Sequence, residues 1–297
     1  MFRNLRFYKI NEPWPESEAD LSEKLAARKF IACNAYSDKS AGWEPPVELE
    51  EAFLCRRVGK ADLLQLRTQT RVMPPAAVNE ALAERVAEFR QRTGDPPTPG
   101  EKRRLKEELK DELMPKALLR SQRTRACFLL DESVLAIDAN SPSMAEGLLD
   151  SLRPCFGRFE CFPLEFRSSP AELIRRIFMG ERVAGFELGR ECRLQDPRDR
   201  TAVGAWRNIE LDDDAIRRHV LDGMRLTHLG IGFQQTATAV LAEDGVVSKL
   251  KILVDEDTQA EWDQDPAVRV DADFALLAGT ATNLLGSLKK ALGGYGG

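Results

Sequence analysis

Residues 98–138 read TPGEKRRLKEELKDELMPKALLRSQRTRACFLLDESVLAID, and the rest of the chain is interpreted outward from them. Thr98 and Glu101 have the spacing of a capping box, and Pro99 stands at the first helical position, where its missing N–H costs nothing. This pattern predicts a helix that begins here and ends at Met114-Pro115. Its apolar residues recur once per turn, at Leu105, Leu109 and Leu113. The helix can therefore bury only a narrow seam, against a single partner.

A run of ten residues without an acid, Lys116 to Arg125, follows this helix. It carries four cations: Lys116, Arg120, Arg123 and Arg125. Two apolar strands, Thr124 to Leu130 and Val134 to Asp138, are predicted next, and a polar turn joins them into a hairpin that holds the basic residues on a firm base. Cations of this kind pair with phosphates mainly through counterion release, which is indifferent to sequence. We therefore interpret this unit as a nucleic-acid contact surface.

Two apolar residues close to cations in the sequence, Leu118 and Trp206, would add contact to bases if they were exposed. The alternative is that each packs inside the protein. Nothing in the chain resembles a base-reading helix, so the expected binding has little sequence preference.

The charge of the chain is uneven. Its 43 Lys and Arg against 48 Asp and Glu give a net charge of -5, which argues against a wholly basic nucleic-acid binder. Between Arg85 and Arg125, however, the chain has twelve Lys or Arg and seven Asp or Glu, so that segment carries a net charge of +5 and the remainder carries -10. One surface that attracts phosphate and others that repel it would produce this asymmetry. For residues 101–112 a merely solvated helix face remains the alternative.

A second helix is predicted before the capping box, because apolar residues keep a helical period from Ala76 to Arg92 and residues 93–97 then break it. Together with the helix at 101 it forms an antiparallel helical hairpin. Both arms have thin apolar stripes, so we expect the hairpin to project from the body and to meet a partner or another subunit.

The other segments alternate short strands and helices, which predicts an α+β fold of several subdomains. We place an N-terminal α/β subdomain at 1–75, the projecting helical hairpin at 76–115, a central α/β subdomain with a basic strand edge at 116–200 and a C-terminal α/β subdomain at 201–297. Among the finer predictions, Phe30 to Cys33 is a strand, Gly189 to Arg200 is a loop, and Asp271 caps the last helix.

Sequence motifs for catalysis are mostly missing. The chain has neither a phosphate-binding loop nor a C-x-x-C pair, and its two histidines make a zinc site improbable. We predict no catalytic residue, no metal and no cofactor. Three acidic clusters leave open a Mg²⁺-dependent nuclease, if two of them converge: Asp212-Asp213-Asp214, Asp255-Glu256-Asp257 and Asp271-Ala272-Asp273.

The cellular location follows from the distribution of apolar residues. No apolar run approaches the ~18 residues of a membrane span, and the first residues lack the apolar core of a signal peptide. We expect a cytoplasmic protein that has no membrane contact and whose six cysteines are reduced core residues.

Several short stretches, in order along nearly the full chain, resemble the RdgC family of recombination-associated proteins. They are Phe2-Arg3-Asn4-Leu5, Gly42-Trp43-Glu44-Pro45-Pro46, Lys110-Asp111-Glu112-Leu113 with Pro115-Lys116-Ala117, Lys249-Leu250-Lys251, Asp271-Ala272-Asp273-Phe274 and Leu292-Gly293-Gly294. Each stretch is short, but the ordered set is specific.

The resemblance implies a non-enzymatic, nucleoid-associated protein that binds single- and double-stranded DNA. It further implies a homodimer closed into a ring with a positively lined hole, which modulates recombination by a RecA-type recombinase and replication fork repair. The basic positions of the family fall on Lys116, Arg120 and, in a looser alignment, Arg207, and family members can carry an aromatic residue where this chain has Leu118. A ring that is acidic outside and basic inside would also explain the uneven charge.

A function from another class remains open. In this alternative the charged helical hairpin docks the chain, as a scaffold, on recombination or replication proteins, and contact with DNA is incidental. The salt dependence of DNA binding separates the two hypotheses.

Overall fold

The computed structural model describes residues 2–47, 53–253 and 266–296, and within them the chain is α+β, as predicted, with two antiparallel sheets. The chain divides into two compact units. The first unit comprises residues 1–27, 45–65 and 124–297, and the second comprises residues 28–44 and 66–123. The four predicted subdomain boundaries stay a prediction.

In chain order the elements are β1 (Arg6–Ile10), α1 (Glu18–Ala26), β2 (Lys39–Trp43), β3 (Cys55–Val58), β4 (Ala61–Val72), α2 (Pro75–Thr93), α3 (Pro99–Leu113), a 3₁₀ turn (Met114–Lys116), β5 (Leu118–Leu129), β6 (Val134–Ile137), α4 (Pro142–Phe156), β7 (Cys161–Pro163), α5 (Pro170–Phe178), β8 (Phe186–Gln195), β9 (Val203–Arg207), α6 (Asp214–Leu221), β10 (Arg225–Phe233), β11 (Ala237–Ala242), β12 (Val247–Ile252) and α7 (Pro266–Ala291).

One sheet has the strand order β2-β4-β5-β6-β1-β7, with β3 paired to β4. The predicted hairpin is confirmed, since β5 and β6 pair in register from Ala126 opposite Ile137 to Leu129 opposite Val134. Residues 126–129 and 134–137 are all buried. Strands covered on both faces read as continuous apolar runs, which is why the sequence located this pair well.

The other sheet lies in the first unit and has the order β12-β11-β10-β8-β9. Its inward residues join the main hydrophobic core with α5, α6 and α7. The predicted loop from Gly189 to Arg200 is wrong, because β8 continues to Gln195. A Cβ atom at Gly189 would lie 2.5 Å from the Gly230 carbonyl carbon, so only glycine permits this close strand pairing.

The predicted cap of the last helix is also wrong. Helix α7 already begins at Pro266, which places Asp271 inside it. The Asp271 carboxylate instead accepts two hydrogen bonds from the Arg56 guanidinium, at 2.9 and 2.5 Å. A sequence pattern cannot distinguish a cap from an ion pair with a residue so distant in the chain.

The second unit contains the two predicted helices. The capping box of α3 is present, and α2 ends at Gly94 in the left-handed conformation, with φ of 86°. The helices pack on a thin seam of Leu82, Leu105 and Leu109. Projection of this pair from the body and the ring-shaped homodimer stay predictions.

The same unit contains β2, residues 66–72 of β4 and residues 118–123 of β5. The predicted strand from Phe30 to Cys33 is wrong, since the strand is β2 and the earlier segment contributes only a bridge between Lys29 and Trp43. The buried Trp43 donates its N–H to the Arg28 carbonyl and accepts from the Phe30 N–H, both at 2.8 Å. These two backbone hydrogen bonds pair Arg28 and Phe30 with Trp43, so the segment needs no strand of its own.

Candidate nucleic-acid interface

The basic run lies on β5, which begins at Leu118 rather than at the predicted Thr124. Residues 118–123 pair with β4. The Ser121 hydroxyl accepts hydrogen bonds from the side chains of Arg67 and Gln69, both at 3.2 Å. Ser121, Arg67 and Gln69 therefore share one face of the strands, and their sequence neighbours point to the opposite face.

The face that carries Ser121 contains arginines that are paired within the chain. The Arg123 Nε donates to a Glu44 carboxylate oxygen at 2.5 Å, and the Arg67 Nη1 lies 3.5 Å from the other oxygen. The Arg67 guanidinium also lies over the Phe30 ring, 4.6 Å from its centre. Glu44 therefore offsets positive charge on this face.

The opposite face is exposed to solvent, and we call it the open face. We assign residues to the open face from the alternation of side chains along β4 and β5. The register of β2 adds two more, because it sets Lys39 opposite Thr70 and Ala41 opposite Thr68. The members of the open face are Lys39, Ala41, Thr68, Thr70, Val72, Leu118, Arg120 and Gln122. Residues 39–43, 66–72 and 116–123 contain no Asp or Glu, so no strand places an acid on the open face.

Three cations border or lie on the open face: Lys39, Arg120 and Lys116, the last in the 3₁₀ turn before β5. All three side chains are exposed, and none forms an ion pair with a carboxylate in the part of the chain that the structure describes. Exposed cations without acidic neighbours produce a positive potential that attracts phosphates. Lys39 was not predicted from the sequence, because only the pairing of β2 with β4 places it on the same face as Arg120.

The two apolar candidates differ. Leu118 is 79% exposed on the open face, where it can contact a ligand. Trp206 is half-buried against the main core, with its ring centre 5.5 Å from that of His219. Trp206 therefore has the packing role that we gave as its alternative.

The remaining predicted cations have partners within the chain or lie in the first unit. Arg123 is bound to Glu44, as described above. Arg125 belongs to the first unit, is half-buried and donates from Nε to the Gln65 amide oxygen at 2.7 Å. A phosphate would have to compete with these partners, so we expect Arg123 and Arg125 to contribute less than Lys116 and Arg120.

Arg207 is exposed at the end of β9 in the first unit, opposite Glu191 in register. It lines a trough of about 530 Å³ together with Arg190 and Lys249. Arg190 pairs with Glu210 at 2.8 Å, and Lys249 pairs with Glu191. Arg207 therefore lies among charges of both signs, unlike the cations of the open face.

The acidic clusters show local structural roles. Asp213 caps α6, because its carboxylate accepts a hydrogen bond from the Ala215 N–H at 2.8 Å. Asp271 pairs with Arg56, and the cluster Asp255-Glu256-Asp257 lies outside the described residues. Within the described ranges no three His, Cys, Asp or Glu side chains converge as a metal site would require.

Three cysteines of the first unit have thiols that resist ionisation. Burial raises the pKa of Cys55 and of Cys161 to about 12, and that of Cys192 to about 11. These thiols stay protonated at neutral pH, a poor state for a nucleophile.

The chain matches, over residues 1–295, the family model described as "Putative exonuclease, RdgC". The chain belongs to the RdgC family. This confirms the resemblance drawn from the short ordered stretches. Among the described helices, none is long and apolar enough to cross a membrane.

Curated relatives cover almost the whole chain and are each named recombination-associated protein RdgC. The relative from Cupriavidus necator is 29% identical over 297 residues, which are 99% of this chain and 98% of the relative. The relative from Cupriavidus pinatubonensis is 30% identical over 295 residues, with the same coverage. One from a Shewanella species is 28% identical over 298 residues, 99% of this chain and 97% of the relative. These names are not enzyme names, whereas the description of the family refers to an exonuclease.

Proposed function

We propose that this RdgC family member is a non-enzymatic protein that binds single- and double-stranded DNA without sequence preference. In this proposal it forms a ring-shaped homodimer that encircles DNA and modulates RecA-dependent recombination and replication fork repair, in association with the nucleoid. The single observation that carries the DNA contact is the open face, where Lys39, Lys116 and Arg120 lie without an acid on the paired strands.

The geometry of the open face favours contact with the phosphate backbone over reading of bases. Its cations project from strands and a turn, whereas specific readers of duplex DNA place a helix or a ribbon in a groove with side chains matched to base edges. Thr68 and Thr70 add hydroxyl groups that can donate hydrogen bonds to phosphate or sugar. The result is a surface that suits any sequence.

Support for a role in recombination comes from the family membership and from the names of the relatives. The ring, the homodimer and the RecA-type recombinase are what the resemblance to the family implies. The net charge of -5 fits a molecule in which phosphate contact is confined to one region.

The salt dependence of DNA affinity tests the proposal. For duplex DNA the slope of log K against log salt is about -0.9 per phosphate contact, so three contacts give about -2.7 in each chain. We expect this slope on two duplexes of unrelated sequence, with equal affinities for both. Affinity that is independent of salt, or restricted to one of the duplexes, would refute it.

A second candidate function is the scaffold, and one observation favours it. Helix α3 carries most of its cations, Lys102, Arg103, Lys106 and Lys110, on one flank, and Glu107, Glu108, Asp111 and Glu112, together with Arg104, on the other. The basic flank borders a groove of about 590 Å³ whose apolar lining includes Leu82 and Val86. Such a groove suits an acidic amphipathic segment.

The scaffold is tested by Lys102→Glu combined with Lys106→Glu. If docking through α3 is the main function, this variant loses binding to a purified RecA-type recombinase and keeps its affinity for DNA. If DNA contact is the main function, the substitutions leave the DNA complex and its effect on recombination unchanged.

The family description also calls for a direct test of nuclease activity. We expect end-labelled DNA to stay intact after long incubation with the protein and Mg²⁺ or Mn²⁺. Shortened products that persist in the purest fractions would show that the protein is a nuclease and would refute the non-enzymatic function.

A further inference from the structure

Arg71 fastens two loops of the second unit to each other. Its guanidinium donates hydrogen bonds to the carbonyls of Asn34 (2.8 Å), Ser37 (3.2 Å), Pro115 (3.3 Å) and Ala117 (3.2 Å). One side chain thus ties the turn at residues 34–37 to the turn that carries Lys116. Since a guanidinium is small and planar, the two backbone segments must lie within a few ångströms of it.

The first of these turns is well fixed by its own bonds. The Asn34 side-chain oxygen accepts from the backbone N–H groups of Tyr36 and Ser37, both at 2.9 Å, which forms an Asx turn. The Arg71 backbone N–H also donates to the Asp38 carbonyl at 2.8 Å. The backbone around Tyr36 is therefore held on both sides.

The Tyr36 side chain itself is 89% exposed, the highest value among the large hydrophobic residues that the structure describes. An aromatic ring on a fixed turn loses little conformational entropy when it binds, because it has only two side-chain torsions. Tyr36 lies on the turn that Arg71 joins to the backbone on both sides of Lys116. Lys116 is an exposed cation with no ion pair among the described residues. An exposed aromatic beside a cation is the combination by which proteins bind single-stranded nucleic acid.

We propose that Tyr36 stacks on an unpaired base of single-stranded DNA while Lys116 contacts an adjacent phosphate. Arg71 holds the turn that carries Tyr36 in place and does not itself contact the DNA. This inference rests on the proposed function and deepens it, because it names the substrate class, strands with unstacked bases, that this part of the second unit favours. From the sequence, contact with bases was considered only for Leu118 and Trp206, if exposed, and not for Tyr36.

The test compares Tyr36→Ala, Tyr36→Phe and a control, Leu221→Ala, which removes an exposed apolar residue from the first unit. Affinities are measured by fluorescence anisotropy for an oligothymidine strand, for an abasic strand of equal length and for a duplex. Base-aromatic stacking is worth about 1–3 kcal/mol, so Tyr36→Ala should weaken oligothymidine binding about five- to 150-fold. The Phe variant and the control should stay within about twofold of the wild type.

On the abasic strand and on the duplex, Tyr36→Ala should bind as the wild type does, because neither ligand offers an unpaired base. Its salt slope on oligothymidine should also be unchanged, since stacking releases no counterion. The inference is overturned if Tyr36→Ala keeps full affinity for oligothymidine, if Tyr36→Phe loses as much as Tyr36→Ala, or if the abasic strand shows the same loss. In each of these cases the wild-type protein still binds DNA, whereas failure of the wild type to bind any of the three ligands would instead refute the proposed function.

Discussion

At the scale of single residues, Glu44 limits the positive charge of the second unit. Its side chain is only 14% exposed, and it pairs with both Arg123 and Arg67. A carboxylate in this position competes with phosphate for the same guanidinium groups. Glu44 therefore offsets the charge of Arg67 and Arg123, and it does not offset the charge of Lys39, Lys116 or Arg120.

Glu44→Gln should strengthen DNA binding. The amide removes one negative charge and releases Arg123 from its carboxylate partner, so one further phosphate contact becomes available and the duplex salt slope should steepen by about 0.9. Anisotropy titrations over a salt series measure both effects. Unchanged affinity and slope in the folded variant would show that Arg123 lies outside the contact surface. Gln69→Glu, which adds a negative charge on the same face of the strands, should act in the opposite direction.

How far the sequence predicts individual residues depends on how local their interactions are. Thr98 and Glu101 are three positions apart, so the capping box was predicted and is present. Lys39 and Tyr36 join the candidate interface only through β2 pairing and the Arg71 hydrogen bonds, which connect distant parts of the chain. No local pattern reveals such contacts, although the absence of acids in residues 66–72 was a usable signal.

At the scale of elements, strands buried on both faces were located more accurately than strands with an exposed face. Residues 126–129 of β5 are apolar and were predicted, whereas residues 118–123 are exposed and were interpreted as a run before the strand. The exposed part forms because β4 pairs with it, which its own polarity does not indicate. The same reason explains the missed continuation of β8 to Gln195.

The packing of α2 on α3 depends on very few side chains. Leu109 is buried between them with Leu82 and Leu105. Leu109→Ala should lower the free energy of unfolding of this helical pair by about 2–3 kcal/mol, the usual cost of such a truncation. Limited proteolysis should then cut the second unit first, whereas Val268→Ala, at an exposed site of α7, should leave the cleavage pattern unchanged. Equal resistance in both variants would contradict the narrow-seam packing.

The end of α7 is fastened by Glu132. Its carboxylate accepts from the Tyr295 hydroxyl at 2.8 Å and from the Lys289 ammonium at 3.0 Å. Burial acts to raise the pKa of Glu132, but these two hydrogen bonds and the positive charges of Lys289 and Lys9 together outweigh it, and the pKa lies below its ordinary value of 4.5. A lowered pKa in the folded state stabilises the fold above the unfolded value, and that stabilisation disappears as the pH falls through the folded value.

Glu132→Gln should therefore unfold at lower urea concentration than the wild type at pH 7, with a loss of about 1.5–3 kcal/mol typical of hydrogen bonds to a charged group. The difference should shrink as the pH falls below 4.5, because the wild-type carboxyl then becomes neutral too. Urea titrations at a series of pH values measure it. A difference that stays constant from pH 7 to the acid limit would show that the charge of Glu132 has no part in holding this end.

At the scale of the whole molecule, the family membership and the uneven charge agree with each other. The α+β class, the basic run and the helical pair were predicted from the sequence, because periodicity and composition are local properties. The ring and the homodimer came from the resemblance alone, since surfaces that bind a second copy have no periodic signature.

The homodimer has a simple test. The proposed function predicts a mass in solution of twice the 33.3 kDa of one chain, measured by light scattering after size exclusion. The value should hold over a tenfold range of concentration, because a ring closed at two contacts dissociates less readily than a single interface. A mass of one chain throughout that range would leave the DNA contact possible but would refute the ring.

The most direct test of the DNA contact removes the three cations of the open face together, as Lys39→Ala, Lys116→Ala and Arg120→Ala in one protein. A matched control removes three arginines of the first unit that pair with carboxylates: Arg158, Arg176 and Arg190. Both variants lose the same charge. For duplex binding, the open-face variant should show a salt slope less negative by about 2.7 for each chain that contacts the DNA, and the control should keep the wild-type slope. Equal slopes in all three proteins, or the same change in both variants, would contradict a phosphate contact at the open face.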